Sequence, residues 1–142
     1  MDNPVEIRKM AEQRLKAAEF LLDNDMLEEA LYLAGHSVEL VLKARICNHF
    51  NFPNLFNSSE NRENIKRMIQ VHDIDELMLL CGLYLKFAEF TGDQPSEILE
   101  YIIHIKKFND IRYKKVGIIS KEKSKKIISF IKEGLLHWIE NN

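Results

Sequence analysis

Apolar residues recur at intervals of three and four along most of the chain, which is the mark of helices that bury one face. Ile7, Met10, Ala11, Leu15, Ala18, Leu21 and Leu22 trace a first helix over about 4–22. Asn3 is placed to cap it, and Pro4 falls at the first helical position, where its missing N–H costs nothing. After the polar turn Asp23-Asn24-Asp25, Leu27, Leu31, Ala34, Val38, Val41 and Arg45 follow one stripe of a second helix over roughly 26–50. Leu33, Leu40, Ala44 and Cys47 add a second stripe, so this helix is expected to be buried on more than one side, at the centre of a bundle.

Asn51-Phe52-Pro53-Asn54 interrupts the pattern, and Ser58 to Glu63 reads as the capped start of a short polar helix reaching about Gln70. Asp73 followed by Glu76 resembles a capping box that opens a third long helix ending near Phe90, with Ile74, Leu77, Leu80, Cys81, Tyr84, Leu85 and Ala88 inward. A break at Thr91 to Pro95 precedes a helix carrying Ile98, Leu99, Ile102, Ile105 and Phe108, expected to end between Asp110 and Tyr113. Gly117 marks a loop, and Ser120 caps a last helix with Ile127, Phe130, Ile131, Leu135 and Trp138 on its apolar face. The fold class is therefore all-α. Short connections favour antiparallel neighbours, giving an up-and-down bundle of four to five main helices plus one short helix.

The composition agrees. Among 142 residues, 5 Gly and 3 Pro are too few for the turns of a sandwich or barrel, and 46% hydrophobic content suffices for one globular domain spanning 1–142. No apolar run is long enough for a membrane span, and the first residues lack the charged-then-apolar layout of a secretory signal, so a cytoplasmic protein with no membrane association is expected. Cys47 and Cys81 lie inside helical patterns and make no metal-ligand spacing; both read as reduced core thiols. No cofactor or metal site is expected, and there is no Gly-rich phosphate loop.

Charge changes the picture more. Residues 1–105 carry ten basic and eighteen acidic side chains, whereas 106–126 hold nine basic against two acidic. Such a block serves either an anionic partner or a solvated lysine-rich face.

Three segments resemble a known family. The run from Glu29 to Ala44 is similar to an Ala- and aromatic-rich helix with a glutamate, here Glu39, followed four residues on by a Lys-Ala pair, here Lys43-Ala44. Val71 to Leu77 resembles a helix start of the type His-x-Leu-x-x-Leu, and Asp110-Ile111-Arg112-Tyr113 a late Arg-Tyr pair. In order and spacing these are similar to the HEPN domain (higher eukaryotes and prokaryotes nucleotide-binding), over about residues 5–140. The resemblance implies a helical bundle, commonly a homodimer. Its small prokaryotic members often pair with a minimal nucleotidyltransferase in toxin-antitoxin modules, and other members are metal-independent ribonucleases.

The ribonuclease branch needs an Arg, usually followed by a polar residue, and a His four to six positions after that Arg on a late helix. No His follows Arg112 within reach. Arg67 and His72 meet the bare spacing, but Met68 stands where the polar residue belongs, and five His with six Arg meet such a spacing by chance about as often as not.

Tyr32, Gly35, Glu39 and Lys43 form one helical stripe, with His36 beside it. The functional reading brings Glu39, Lys43, His72, Arg112 and Tyr113 into a groove, with Lys43 and Arg112 on phosphate and Tyr113 stacked on a base. The structural reading pairs Glu39 with Lys43 or Arg112 to fix helix docking, under a covering Tyr113. The first function expected is a non-catalytic HEPN module binding a nucleotide, RNA or nucleotidyltransferase; the alternative is a ribonuclease toxin using Arg67 and His72, and a third reading is a dimerising helical scaffold.

Overall fold

The computed structural model describes residues 3–51, 67, 70–113 and 119–142, with Arg112 and Tyr113 in backbone only. Among these residues the protein is all-α, with no strand. Helix α1 (Pro4–Asp23) starts where expected: Asn3 Oδ1 accepts the Glu6 N–H at 2.9 Å, with Pro4 in the first turn. Its C-terminus closes at Asp25, whose φ of 62° is left-handed. Met26 N–H reaches the Leu21 carbonyl at 2.9 Å and Asp25 N–H that of Leu22 at 3.1 Å, the double closure of a Schellman turn.

Helix α2 (Leu27–His49) buries residues all round, from Ala30 to Cys47. It packs along α1 and also against the elements that follow, so it is the central helix that its two apolar stripes predict. Asn51, φ 56°, terminates it. The expected short polar helix over 58–70 lies almost wholly outside the described residues.

The third long helix is a correction. Instead of one helix over 73–90 there are two, α3 (Ile74–Leu80) and α4 (Tyr84–Gly92). Gly82, φ 78°, sits between them, with Leu83 N–H bonded to the Met78 carbonyl at 2.8 Å and Gly82 N–H to that of Leu79 at 3.1 Å. This is a second Schellman turn, and it resets the helical register. Leu83 and Phe87 therefore point into the core, while Tyr84, Leu85 and Ala88, expected inward, are exposed. The capping of α3 holds, since Asp73 Oδ1 accepts the Glu76 N–H at 3.0 Å.

Helix α5 (Ser96–Lys106) also stops earlier than its periodicity suggests, and the chain tightens into a 3-10 helix (Phe108–Tyr113). The cause is tertiary packing: Phe108 is buried directly over Gly35 of α2, where a Cβ would lie 2.3 Å from that of Phe108. Gly117 falls outside the described residues. Ser120 caps the last helical stretch by accepting the Lys123 N–H at 3.1 Å. That stretch comprises α6 (Lys121–Ser129), a π-helical segment (Phe130–Leu135) and α7 (Leu136–Asn141). Arg45 ties α2 to it through a 3.0 Å hydrogen bond to the Ile139 carbonyl. Cys47 and Cys81 are free and buried, as expected, and burial pushes the Cys47 thiol up to about 11.

Candidate functional site at Glu39 and His72

The stripe on α2 puts Glu39 one turn before Lys43 and buries both, at 1% and 4% exposure. Two unpaired charges at such depth would each cost several kcal/mol, so both must find partners. Lys43 Nζ donates to Glu39 Oε1 at 2.5 Å. His72 Nδ1 meets the same oxygen at 2.7 Å, approaching from the turn that leads into α3. Glu39 Oε1 thus takes two partners, while the buried Oε2 has none among the described residues.

The two partners of Glu39 differ in access. The Lys43 ammonium faces the carboxylate from within the core, whereas the His72 side chain is 62% exposed. With Glu39 ionised, Nδ1 carries the proton it donates, and the neutral ring keeps Nε2 as its acceptor nitrogen. A carboxylate that anchors one ring nitrogen fixes the tautomer and the ring plane of an exposed imidazole. Such a ring can accept a proton or, once protonated, donate to a phosphate oxygen.

The wall beside this pair is aromatic. Tyr32 stacks near His36 with centroids 6.2 Å apart and lies 5.8 Å from Phe108. Burial pulls the His36 pKa below its ordinary value; the Glu39 charge opposes that shift, and the nearby charges of Arg14, Lys43 and His72 reinforce it. His36 and Arg14 therefore belong to the electrostatic surroundings of Glu39. His36 was legible from its place beside the stripe; Arg14 carries no local signal, because its proximity depends on how α1 lies on α2.

Of the residues singled out by sequence, Glu39, Lys43 and His72 are brought together. The structure places the backbone of Arg112 and Tyr113 in the 3-10 helix that seats Phe108 on Gly35. Asn109 of that helix donates to the His72 carbonyl at 3.4 Å, so the segment is tied to the His72 turn. The side chains of Arg112 and Tyr113 lie outside the described residues. Arg67 is exposed, with no contact to His72 among the described residues.

The basic block looks different in three dimensions. Lys106 pairs with Asp75 at 3.0 Å, Lys121 with Asp25 at 2.8 Å, Lys123 with Glu100, and Lys126 with Glu97 and Glu122 at 3.7 and 3.5 Å. Four of the nine basic residues of that segment thus lie against carboxylates of the same chain, Glu122 within the segment itself. Lys114 and Lys115 lie outside the described residues.

Among the described residues no group of three or more His, Cys, Asp or Glu is arranged to hold a metal ion, and no helix is long and apolar enough to cross a membrane. Comparison of the chain with family models, with curated proteins and with solved structures gives no match.

Proposed function

We propose that this chain is a non-catalytic module of HEPN type that binds a nucleotide or RNA at the junction of α2, the His72 turn and the 3-10 helix. The observation that carries this reading is the exposed His72 imidazole held at 2.7 Å by the buried Glu39 carboxylate. A ring so fixed is an oriented donor for a phosphate oxygen once protonated, and it adjoins the segment that bears Arg112 and Tyr113. The resemblance of Glu29 to Ala44, Val71 to Leu77 and Asp110 to Tyr113 to HEPN segments supplies the ligand class. It also implies the setting, a homodimer accompanied by a minimal nucleotidyltransferase in a toxin-antitoxin pair.

A second reading, a metal-independent endoribonuclease, is favoured by the same contact. A carboxylate-anchored imidazole has the layout of a general base, and Arg67 would steady the phosphate. One experiment separates the two. End-labelled mixed RNA is incubated with the full chain, without divalent metal, beside Arg67→Ala and His72→Ala variants, and both retention and cleavage are scored. The binding module predicts retained, intact RNA at low salt, weakened about tenfold in His72→Ala by loss of one charge-assisted hydrogen bond. Cleavage that disappears in both variants establishes the ribonuclease. Absence of binding to RNA and to free nucleotides alike overturns the binding reading.

A further inference from the structure

Away from the His72 site, α5 and the last helical stretch border an open, shallow groove. Its floor is apolar, made by Ile98, Tyr101 and Phe130, with the two rings 6.4 Å apart. The backbone beneath is π-helical over Phe130–Leu135, a distortion that is frequent at functional sites. Gly134 is part of this construction. A Cβ there would lie 2.9 Å from Phe130 Cδ2, so only glycine leaves the ring where it lies.

The rim carries the carboxylates of Glu97, Glu122 and Glu133 against the ammoniums of Lys125 and Lys126, and Glu97 and Glu122 are largely exposed. An ammonium already sits between them: Lys126 Nζ is 3.7 Å from Glu97 and 3.5 Å from Glu122. Both distances exceed a hydrogen bond, so the lysine is held loosely and is replaceable. Tyr101 donates its hydroxyl to Glu97 Oε1 at 2.6 Å, which fixes that carboxylate above the aromatic floor.

We propose that this groove binds a small organic cation with an apolar, preferably aromatic, body, its ammonium taking the place of Lys126 between Glu97 and Glu122. The body lies on Tyr101 and Phe130, where apolar burial and the ring faces both favour it. Charge complementarity selects the cation: a neutral ligand of the same shape gains the floor but not the rim.

The test is a titration of the full chain with 2-phenylethylammonium, 2-phenylethanol and butylammonium, followed by the ring-proton resonances of Tyr101 and Phe130. The aromatic ammonium is expected to bind most tightly, with saturable shifts of both rings and about three- to fivefold higher affinity than the alcohol. The Glu97→Gln/Glu122→Gln double variant, changed only at exposed side chains, is expected to bind amine and alcohol equally. Lys126→Met removes the internal competitor and is expected to tighten the amine by about threefold. Equal affinity of amine and alcohol in the unmodified chain overturns the proposal. So does equal affinity of the aromatic and aliphatic amines, or binding that leaves the Tyr101 and Phe130 rings unshifted.

Discussion

Glu39 and Lys43 are buried as a pair, with His72 as a second partner of the carboxylate. Lys43→Met removes the ammonium but not the buried carboxylate, and is expected to lower stability by about 3–5 kcal/mol. For a chain of 142 residues, thermal denaturation reads this as a fall of roughly 10–17 °C in Tm. Adding Glu39→Gln to Lys43→Met removes the stranded charge, so the double variant is expected to be more stable than the single one, and a double-mutant cycle measures the coupling. His72→Ala leaves Glu39 with Lys43 and is expected to cost far less. His36 adds a dependence on pH. Its folded pKa is lowered, chiefly by burial, so just below the unfolded value of about 6.5 the unfolded chain binds more protons than the folded one. Stability therefore declines as pH falls through that value and on toward the folded pKa. Urea titrations at about pH 7.5 and 5.5 are expected to show a loss in the native chain and a smaller loss in His36→Gln.

Two glycines govern the elements by different physics. Gly35 lies mid-helix, where alanine ordinarily stabilises by about 1 kcal/mol, yet its Cβ would collide with buried Phe108. Gly35→Ala is expected to destabilise by about 1–3 kcal/mol net, and to speed hydrogen exchange in the 3-10 helix that overpacking displaces. Gly82 has open space around it but φ of 78°, so Gly82→Ala is expected to cost about 1 kcal/mol for backbone strain alone, and Gly82→Asn less. These positions also mark where sequence reading stops. The N-caps at Asn3, Asp73 and Ser120 and the central burial of α2 follow from local residue types and were legible. The break at Gly82 was not, because Tyr84 and Leu85 continue the apolar spacing that Cys81 follows, and a left-handed turn then rotates them outward. The stop after Lys106 was equally hidden, since it is set by a contact between Phe108 and a glycine more than seventy residues earlier in the chain. For the site, the stripe of Glu39 and Lys43 was visible at helical spacing. That His72, and not only Lys43, would share the same carboxylate oxygen depends on tertiary placement.

At the scale of the whole molecule, part of the positive segment meets acidic partners on the surface of the fold among the described residues. Lys106, Lys121, Lys123 and Lys126 lie against Asp75, Asp25, Glu100, Glu97 and Glu122. With these charges engaged and a net charge of −2, a broad electrostatic grip on nucleic acid is disfavoured, and the proposed binding would rest on a defined site. Few phosphates are then contacted, so affinity is expected to fall with salt along a shallow slope, about one unit of log K per phosphate neutralised. Filter binding across a salt series measures that slope. His72, anchored by Glu39, is proposed as the contact to a nucleotide phosphate. The most direct test of this contact follows the ring resonances of the His72 imidazole by NMR during titration of the full chain with a nucleoside monophosphate and a short RNA at low salt. Expected is a saturable shift of His72 with intact RNA at the end, and about tenfold weaker binding in His72→Ala. An imidazole that stays unshifted while ligand binds elsewhere, or RNA that is cut during the titration, would contradict it.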